Sequence, residues 1–366
     1  MALPNNSANS CNDDNDIQLQ LNYPWITKKR YSLKPALKKG ENYLSQMIRA
    51  IVDYKVNNED NQINFVIKAQ ISKAAYENDL FLREISVFKY VIPLAEELLK
   101  RVGDDTKFSA RCYEANCDEY YLIFEDLIPL GYKNAERKNG LNMDKFRSTL
   151  SLLAKWHATT AVLMQTHNHI MRPFDDMFTT AMYESLVKTI IKKTSQFLTE
   201  CVTGYDELAR KLNILSDEMF HQIKKADERI PSEFSCLSHC DLWSNNIMFN
   251  DFLPFPMNAL LIDFQMVHSG SPVLDICYLI FSSSETSMRE TEFDYLLHYY
   301  HDQLSSVLNK LEYINRIPTL DDLQNEMLRR GAYGVPLGIL GTIGRYDNDK
   351  DGLDMLTSES EENEII

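Results

Sequence analysis

The chain has 366 residues, enough for about two packed lobes, and its 44% hydrophobic and 25% charged residues are ordinary for a globular protein. Its 53 acidic and 38 basic side chains give a formal net charge of −15, which argues against nucleic acid and against an anionic membrane surface as partners. An anionic ligand would therefore have to meet local positive charge or a metal ion.

The sequence shows no targeting or membrane signal. The first residues, MALPNNSANSCNDDND, have neither the basic nor the apolar region of a secretory signal. No apolar run approaches the roughly 18 residues that a membrane span needs. The seven cysteines are scattered without a CxxC pair, which favours reduced thiols. Together these features predict a cytoplasmic protein with no membrane span.

The first third of the chain is predicted to form strands and one helix. Residues 1–20 are rich in Asn, Asp and Ser and predict a disordered leader. The runs RAIVDYKV and INFVIKAQ flank the polar stretch NNEDNQ and predict a hairpin. Apolar residues at helical spacing predict a helix over about 76–92, which Pro93 should end because proline lacks the N–H donor. Two more strands are predicted in KFSARCYEA and EYYLIFEDL.

After Leu127 the pattern becomes mainly helical. Helices are predicted at about 142–165, 179–225, 290–311 and 320–331. Between the second and third of these, short apolar strands bracket clustered polar residues in FSCLSHCDLWSNNIMF and the sequence that follows it.

This order predicts an α+β protein with two lobes. A small lobe of strands and one helix would occupy 21–127, with a hinge at 125–127, and a larger helical lobe would occupy 128–345. The last stretch, 346–366, is acidic and is predicted to be disordered. Two lobes with a cleft between them suit a nucleotide-dependent transferase.

The central chemical signal is the pattern HxDxxxxN in the predicted loop 239–246, followed by Asp263 after the apolar run ALLI. Phosphoryl transfer to a hydroxyl needs a carboxylate that accepts the proton of the attacking oxygen, and oxygen ligands that hold Mg²⁺ against the nucleotide phosphates. Asp241 fits the first role, and Asn246 and Asp263 fit the second. The alternative is that these residues only form hairpin turns and a strand-end cap.

A second signal is a lysine and a glutamate in the predicted small lobe. Lys68 lies inside the apolar strand NFVIKAQ, where an unpaired lysine would be awkward, and Glu84 lies on the next helix. Such a pair fixes the ammonium where it can meet the α- and β-phosphates. Alternatively, Lys68 points outward from an edge strand and Glu84 is a solvated helix charge.

Several stretches resemble the ecdysteroid kinase-like family of insects, also called CHK kinase-like, in the choline and aminoglycoside kinase branch of the protein-kinase-like superfamily. The matching stretches are GENYLSQMIRA, FVIK, FLREISVF, LIFEDLIPLGY, RKNGLNMDKFRSTLSLLAKWHATTA, LSHCDLWSNNIMF, LLIDFQ and GSPVLDICYLIFSS. Trp243 and the stretch SPVLD point to this family over the bacterial aminoglycoside enzymes. The resemblance implies a two-lobed protein-kinase-like fold, with a small antiparallel β-sheet lobe carrying one key helix and a larger, mainly helical lobe.

The resemblance also implies which residues bind ATP. Lys68 would bind the phosphates, and Glu84 would hold Lys68 in place. The hinge residues that would meet the adenine ring through their backbone are Glu125, Asp126 and Leu127. There is no GxGxxG, and the phosphate-covering turn is represented by GENYLS, whose candidate residues are Gly40, Asn42 and Ser45.

For the catalytic loop, the resemblance implies that His239 braces the loop and that Asp241 is the catalytic base. Asn246 and Asp263 would bind Mg²⁺, and Asp275 would be the buried aspartate that anchors the loop from the following helix.

Further features accompany these matches. The metal aspartate is followed by Phe-Gln rather than Phe-Gly, which is usual for the family that the sequence resembles and predicts no activation-loop switch of the protein-kinase kind. The run before GENY is shorter than the resemblance implies, and an acidic tail follows GAYGVPLGIL where further helices are expected. His157 in LAKWHA is predicted to be structural rather than a ligand.

The sequence therefore predicts an ATP- and Mg²⁺-dependent small-molecule kinase that phosphorylates a hydroxyl group. The resemblance makes an ecdysteroid steroid the leading substrate, with hydroxylated xenobiotics or plant metabolites next. The alternative is a catalytically silent kinase-like protein that binds a hormone or toxin; the shortened ends favour it and the intact motifs oppose it. A metal hydrolase would need further ligands beside His239 and Asp241, and a protein kinase would need an APE-like motif after Asp263.

Overall fold

The computed structural model describes residues 26–36, 45–56, 59–70, 80–175, 181–228 and 230–339. The predicted leader, the predicted acidic tail and the candidates Gly40 and Asn42 lie outside these residues.

The described residues form two compact units. The first is made of parts of Met1–Ser32 and Ile51–Ile63, and the second of parts of Leu33–Ala50 and Asn64–Ile366. Every described residue of the candidate site belongs to the second unit.

The first sheet has five strands in the order β1-β2-β3-β5-β4. Its strands are β1 (Ile26–Pro35), β2 (Ser45–Val56), β3 (Glu59–Gln70), β4 (Cys112–Asn116) and β5 (Tyr121–Glu125). The predicted hairpin is therefore present as β2 and β3, although most of the polar stretch NNEDNQ belongs to β3 rather than to a turn. Strand β5 pairs antiparallel with both β3 and β4.

The helix after β3 continues past Pro93, so the prediction that Pro93 ends it is wrong. Helix α1 (Leu80–Ser86) passes through a π-helical turn (Val87–Val91) into α2 (Ile92–Arg101), which carries Pro93 in its first turn. Proline is tolerated in the first turn of a helical segment, and the wider π-helical turn before it accommodates the proline ring and the absence of its N–H donor. The predicted beginning of this helix, residues 76–79, lies outside the described residues.

The rest of the described chain is mainly helical, as predicted. Further helices are α3 (Met143–Thr166), α4 (Asn168–Met171), α5 (Ala181–Cys201), α6 (Asp206–Asp227), α7 (Val273–Ser283), α8 (Thr286–Thr291), α9 (Phe293–Lys310) and α10 (Leu320–Arg330). Helix α3 begins at its N-cap Asn142, whose side chain accepts a hydrogen bond from the Lys145 N–H at 3.0 Å. Most of its length is buried, so α3 forms the centre of the helical core.

Two small sheets interrupt the helices. They are built from β6 (Lys133–Asn134), β7 (Cys236–Ser238), β8 (Ile247–Phe249), β9 (Ala259–Leu261) and β10 (His268–Gly270). Strand β7 pairs with β10, and β8 lies between β6 and β9. Strands β7 to β10 are buried, whereas both residues of β6 are exposed, and the buried strands position the loops that carry the predicted catalytic residues.

The predicted α+β fold class is confirmed, with antiparallel strand pairs and mainly helical sequence after β5. Within the described ranges, no helix combines the length and apolarity of a membrane span. The six described cysteines are free thiols.

Candidate active site

Lys68 lies at the centre of a buried ion-pair cluster. It sits on β3 opposite Leu122 of β5, so it belongs to an inner strand and not to an edge. Its Nζ donates to Glu84 Oε2 at 2.6 Å and to Asp263 Oδ1 at 2.8 Å. The Lys68 side chain is 4% exposed and that of Glu84 1%, so the alternative of two solvated charges is wrong.

The charges of this cluster keep Lys68 protonated. Burial lowers the pKa of Lys68, but the neighbouring carboxylates of Asp263 and Glu84 outweigh burial and raise the pKa above its ordinary value. Glu84 also accepts a hydrogen bond from the backbone N–H of Phe264 at 3.2 Å. Glu84 therefore fixes both the ammonium and the backbone that carries Asp263.

The register of two short strands brings Asn246 and Asp263 together. Ile247 at the start of β8 pairs with Leu261 at the end of β9, and the Ile262 N–H donates to the Asn246 carbonyl at 3.0 Å. Asn246 and Ile262 lie immediately outside this pairing, and Asp263 is the next residue after Ile262. Two segments that are distant in sequence thus reach one place because of a three-residue antiparallel ladder.

Asp241 is held by neutral donors. Asn246 Nδ2 donates to Asp241 Oδ2 at 2.7 Å and to the Asp241 carbonyl at 2.8 Å, and the Tyr278 hydroxyl donates to Asp241 Oδ1 at 2.8 Å. Burial, together with the charge of Asp263, raises the pKa of Asp241 to about 7. A carboxyl with a pKa near neutrality is suited to accept a proton in a reaction and release it afterwards.

The loop that carries Asp241 is anchored by Asp275. The carboxylate of Asp275 accepts the backbone N–H of His239 at 2.6 Å and that of Cys240 at 2.7 Å. Burial raises the pKa of Asp275, but these bonds and the neighbouring His157 outweigh burial and hold the pKa below its ordinary value. A fully buried carboxylate with several donors is a rigid anchor for a loop.

Two histidines support this anchor. His157 is fully buried and its ring nitrogens contact the Tyr300 hydroxyl at 2.7 Å and Asp275 Oδ2 at 3.0 Å, which makes it a structural partner of the anchor. His239 Nε2 lies 3.1 Å from the Ile262 carbonyl, and burial lowers the pKa of His239. A carbonyl can only accept, so His239 carries a proton on Nε2 and links the loop to the strand before Asp263.

The backbone is strained at two positions of the site. Cys240 has φ +60° and Asp263 has φ +66°, in the left-handed region that side-chain-bearing residues seldom occupy. Cys240 precedes Asp241, and Asp263 touches Lys68. Such conformations persist where surrounding contacts over-determine them, as the bonds to Asp275 and Glu84 do here.

The predicted hinge lies along the wall of the same pocket. A pocket of about 200 Å³ is lined by Lys68, Glu84, Asn246 and Asp263, by apolar side chains that include Val66 and Ile262, and by the hinge residues Glu125, Asp126 and Leu127. The Asp126 side chain is 1% exposed and is paired with Arg49 on β2. Arg49 Nη2 donates to Asp126 Oδ1 at 3.3 Å, and Arg49 Nε donates to Asp126 Oδ2. The pocket thus joins the hinge to the ion-pair cluster.

Comparison of the sequence with protein-family models identifies the family of this chain. The model of the ecdysteroid kinase-like family matches residues 39–313. The chain belongs to the ecdysteroid kinase-like family. No curated protein matches the sequence.

Three solved structures illustrate what this ecdysteroid kinase-like chain is similar to. The GDP complex of wild-type aminoglycoside 2'-phosphotransferase-IIIa is 13% identical with a TM-score of 0.44, covering 89% of this chain and 91% of that one. A macrolide 2'-phosphotransferase from Brachybacterium faecium is 11% identical with a TM-score of 0.39, covering 86% and 89%. An ethanolamine kinase from Plasmodium vivax is 14% identical with a TM-score of 0.36, covering 85% and 83%.

The donor atoms of the site suit Mg²⁺. Asn246 gives its amide N–H groups to Asp241, which leaves its carbonyl oxygen as the atom able to bind a cation. Asp263 uses one oxygen for Lys68, and its side chain is 23% exposed. Mg²⁺ is commonly bound by one or two protein oxygens together with substrate phosphates. In the part of the chain that the structure describes, no group of three or more His, Cys, Asp or Glu is placed so that it could hold a metal ion by itself.

Not every predicted residue of this family member reaches the pocket wall. Ser45 is buried at the start of β2 and is not among the residues that line the pocket, and Asp241, His239 and Asp275 do not line it either. A larger cavity of about 610 Å³ lies between the segment before β7 and helix α10, and no predicted site residue lines it.

Two residues at the site were missed by sequence reasoning. Tyr278 touches Asp241, and Arg49 pairs with the hinge. The position of Tyr278, three residues after Asp275 on one helix face, was an available signal. Nothing in the local sequence pairs Arg49 with Asp126, because the two are 77 residues apart.

Proposed function

We propose that this ecdysteroid kinase-like protein is an ATP- and Mg²⁺-dependent kinase that transfers the γ-phosphate to a hydroxyl group of a small molecule. The observation that carries the proposal is the position of Lys68 between Glu84 and Asp263, in a pocket that Asn246 and the hinge also line. Phosphoryl transfer depends on positioning and on charge stabilisation, which this arrangement supplies.

The phosphates would be bound by fixed positive charge. The Nζ of Lys68 is held by two carboxylates and stays protonated, so its ammonium would bind nucleotide phosphates without moving. Lys68 is thus one positive charge near three carboxylates, those of Glu84, Asp241 and Asp263. This surplus of negative charge favours binding of a cation beside the phosphates.

Mg²⁺ would be held by Asn246 and Asp263 and would supply neutralisation of phosphate charge. The backbone of Glu125, Asp126 and Leu127 would bind the adenine ring from the hinge side of the pocket.

Asp241 would orient the acceptor hydroxyl and accept its proton. Each carboxylate oxygen has a further lone pair beyond the bond it receives from Tyr278 or Asn246. As the acceptor oxygen forms its bond to the γ-phosphorus, the bond from that phosphorus to the β–γ bridging oxygen would break and ADP would leave, while the hydroxyl proton would move to Asp241. A base of pKa about 7 is matched to this task near neutral pH.

An ecdysteroid is the leading acceptor because the family model that matches the chain carries that name. Hydroxylated xenobiotics and plant metabolites are the next classes. The cytoplasm is the proposed compartment, in keeping with the free thiols of the described cysteines.

The proposal is tested by incubating the purified full-length chain with ATP, Mg²⁺ and a panel of ecdysteroids, other hydroxysteroids and phenolic glycosides. We expect mass spectrometry to detect an added phosphate on at least one compound, and none when Asp263→Asn replaces the native chain. Calorimetric titration with ATP and Mg²⁺ runs in parallel. ATP binding without product from any compound would instead support the silent binding protein.

A further inference from the structure

Helix α7 contacts the catalytic loop at three successive points. Asp275 accepts the N–H groups of His239 and Cys240, the Tyr278 hydroxyl donates to Asp241 at 2.8 Å, and the Ser283 hydroxyl accepts the Ser244 N–H at 2.8 Å. The contacts occur in the same order along the loop and along the helix. The loop therefore runs alongside α7 in the same direction, and contacts from the helix fix the path of the loop.

Tyr278 differs from the other two contacts because it touches a reacting group. Asp275 and Ser283 bind backbone N–H groups and so fix the path of the loop. Tyr278 binds the side-chain oxygen of Asp241. Its place on α7, one turn after Asp275, means that the residue that anchors the loop also sets the position of the Tyr278 ring.

Two donors are needed to fix the plane of a carboxylate. The terminal torsion of aspartate is broad, so a bond to one oxygen leaves the other free to swing. Asn246 holds Oδ2, and Tyr278 holds Oδ1. If Asn246 also binds Mg²⁺, its own position depends on the ligand, whereas Tyr278 is carried by helix α7, most of whose residues are buried in the protein. The hydrogen bond from Tyr278 thus holds Asp241 Oδ1 in a position that does not depend on the bound nucleotide.

We propose that Tyr278 is a positioning residue for phosphate transfer, whose hydroxyl holds the Asp241 carboxylate in the plane that faces the acceptor hydroxyl. This inference rests on the proposed function, because it assigns Tyr278 a part in the same reaction. It predicts that loss of the hydroxyl impairs turnover while nucleotide binding is retained.

The test is Tyr278→Phe, which removes one hydroxyl and keeps the ring. With an accepted hydroxyl substrate, we expect kcat to fall roughly 10- to 100-fold, as for loss of one hydrogen bond to a charged group, while the Kd for ATP and Mg²⁺ stays within about twofold. The matched control is Tyr299→Phe, which removes a hydroxyl that lies 2.7 Å from Ser151 Oγ and does not touch Asp241. This control should keep native kcat and KM.

A double-variant cycle separates positioning from general damage. In an Asp241→Asn background, Tyr278→Phe should cause no further loss of the residual transfer, because both changes act through one carboxylate. Independent losses that multiply, an unchanged kcat in Tyr278→Phe, or an equal fall in ATP affinity would each overturn the inference. If instead the native chain transfers no phosphate to any substrate, the proposed function itself fails.

Discussion

Lys68 and Asp241 belong to one site but are held by opposite means. Lys68 is enclosed by two carboxylates and is kept protonated by them. Asp241 is held by an amide and a phenol, and burial brings its pKa to about 7. The difference suits the two proposed tasks: phosphate binding needs a permanent charge, whereas proton acceptance needs a group that can change its charge.

The two halves also differ in what supports them. The Lys68 half depends on ion pairs between β3, α1 and the segment after β9, so its geometry is set by side-chain charge. The Asp241 half depends on the fit of a loop against α7, with Asp275 as its buried anchor. Substitutions should therefore affect the first half through charge and the second half through loop position.

The largest effect is expected from Lys68→Met, which removes the ammonium and leaves Glu84 buried beside Asp263 without a cation. We expect kcat/KM for ATP to fall at least about 100-fold, because the fixed charge facing the phosphates is lost. Steady-state kinetics with varied ATP measures this. The matched control is Lys155→Met, since Lys155 also pairs with an aspartate, Asp104 at 2.6 Å, but does not line the pocket.

If Lys155→Met lost as much activity as Lys68→Met, the effect would reflect lost folding stability and the special role of Lys68 would be refuted. Thermal unfolding of both variants shows which case holds.

Asp275→Asn weakens the anchor of the loop that carries Asp241, because Asp275 accepts the N–H groups of His239 and Cys240. We expect a loss of about 3 kcal/mol in the free energy of unfolding at pH 7, because an amide can no longer accept from both buried N–H groups with full charge. The folded-state pKa of Asp275 is lowered, so its contribution is fully present above about pH 4 and is lost as the pH falls through that folded-state pKa.

Denaturant unfolding of the native chain and of Asp275→Asn at pH 7 and pH 3 measures both parts of this prediction. The difference between the two proteins should narrow at the lower pH. A difference that widens toward pH 3 would contradict the direction given for Asp275.

A smaller effect is expected from Arg49→Gln at the hinge. The change leaves Asp126, a buried carboxylate, without its cationic partner, and the hinge backbone should shift slightly. We expect the Kd for ATP to rise roughly 5- to 20-fold with little change in kcat, as measured by titration and by kinetics. The double variant Arg49→Gln with Asp126→Asn should bind ATP better than Arg49→Gln alone, and no such recovery would argue against a role for the ion pair.

Much of the fold was predictable because it follows from local pattern. Two strand-like runs flanking a polar stretch predicted β2 and β3, and the helical spacing of apolar residues predicted the long helices. The prediction that the helix ends at Pro93 was wrong. The helix continues because a π-helical turn precedes the proline, and the spacing of the apolar side chains does not reveal that turn.

In the candidate site, too, local motifs were predictable from the sequence, whereas contacts between distant segments were not. The pattern HxDxxxxN, together with Lys68 and Glu84, predicted residues that the structure brings together, because motif spacing encodes a loop and a strand-to-helix pair. Their roles stay predictions. The contacts of Tyr278 and Arg49 depend on tertiary packing between segments that are 37 and 77 residues apart, which the local sequence does not encode.

The central claim is that Asp241 accepts the proton of an acceptor hydroxyl during phosphate transfer, and Asp241→Asn tests it most directly. The measurement is transfer of labelled phosphate from ATP to an accepted substrate, with ATP binding followed by calorimetry on the same samples. The account predicts that both proteins bind ATP with Mg²⁺ and that only the native chain transfers phosphate at a substantial rate. Undiminished transfer by Asp241→Asn would contradict it.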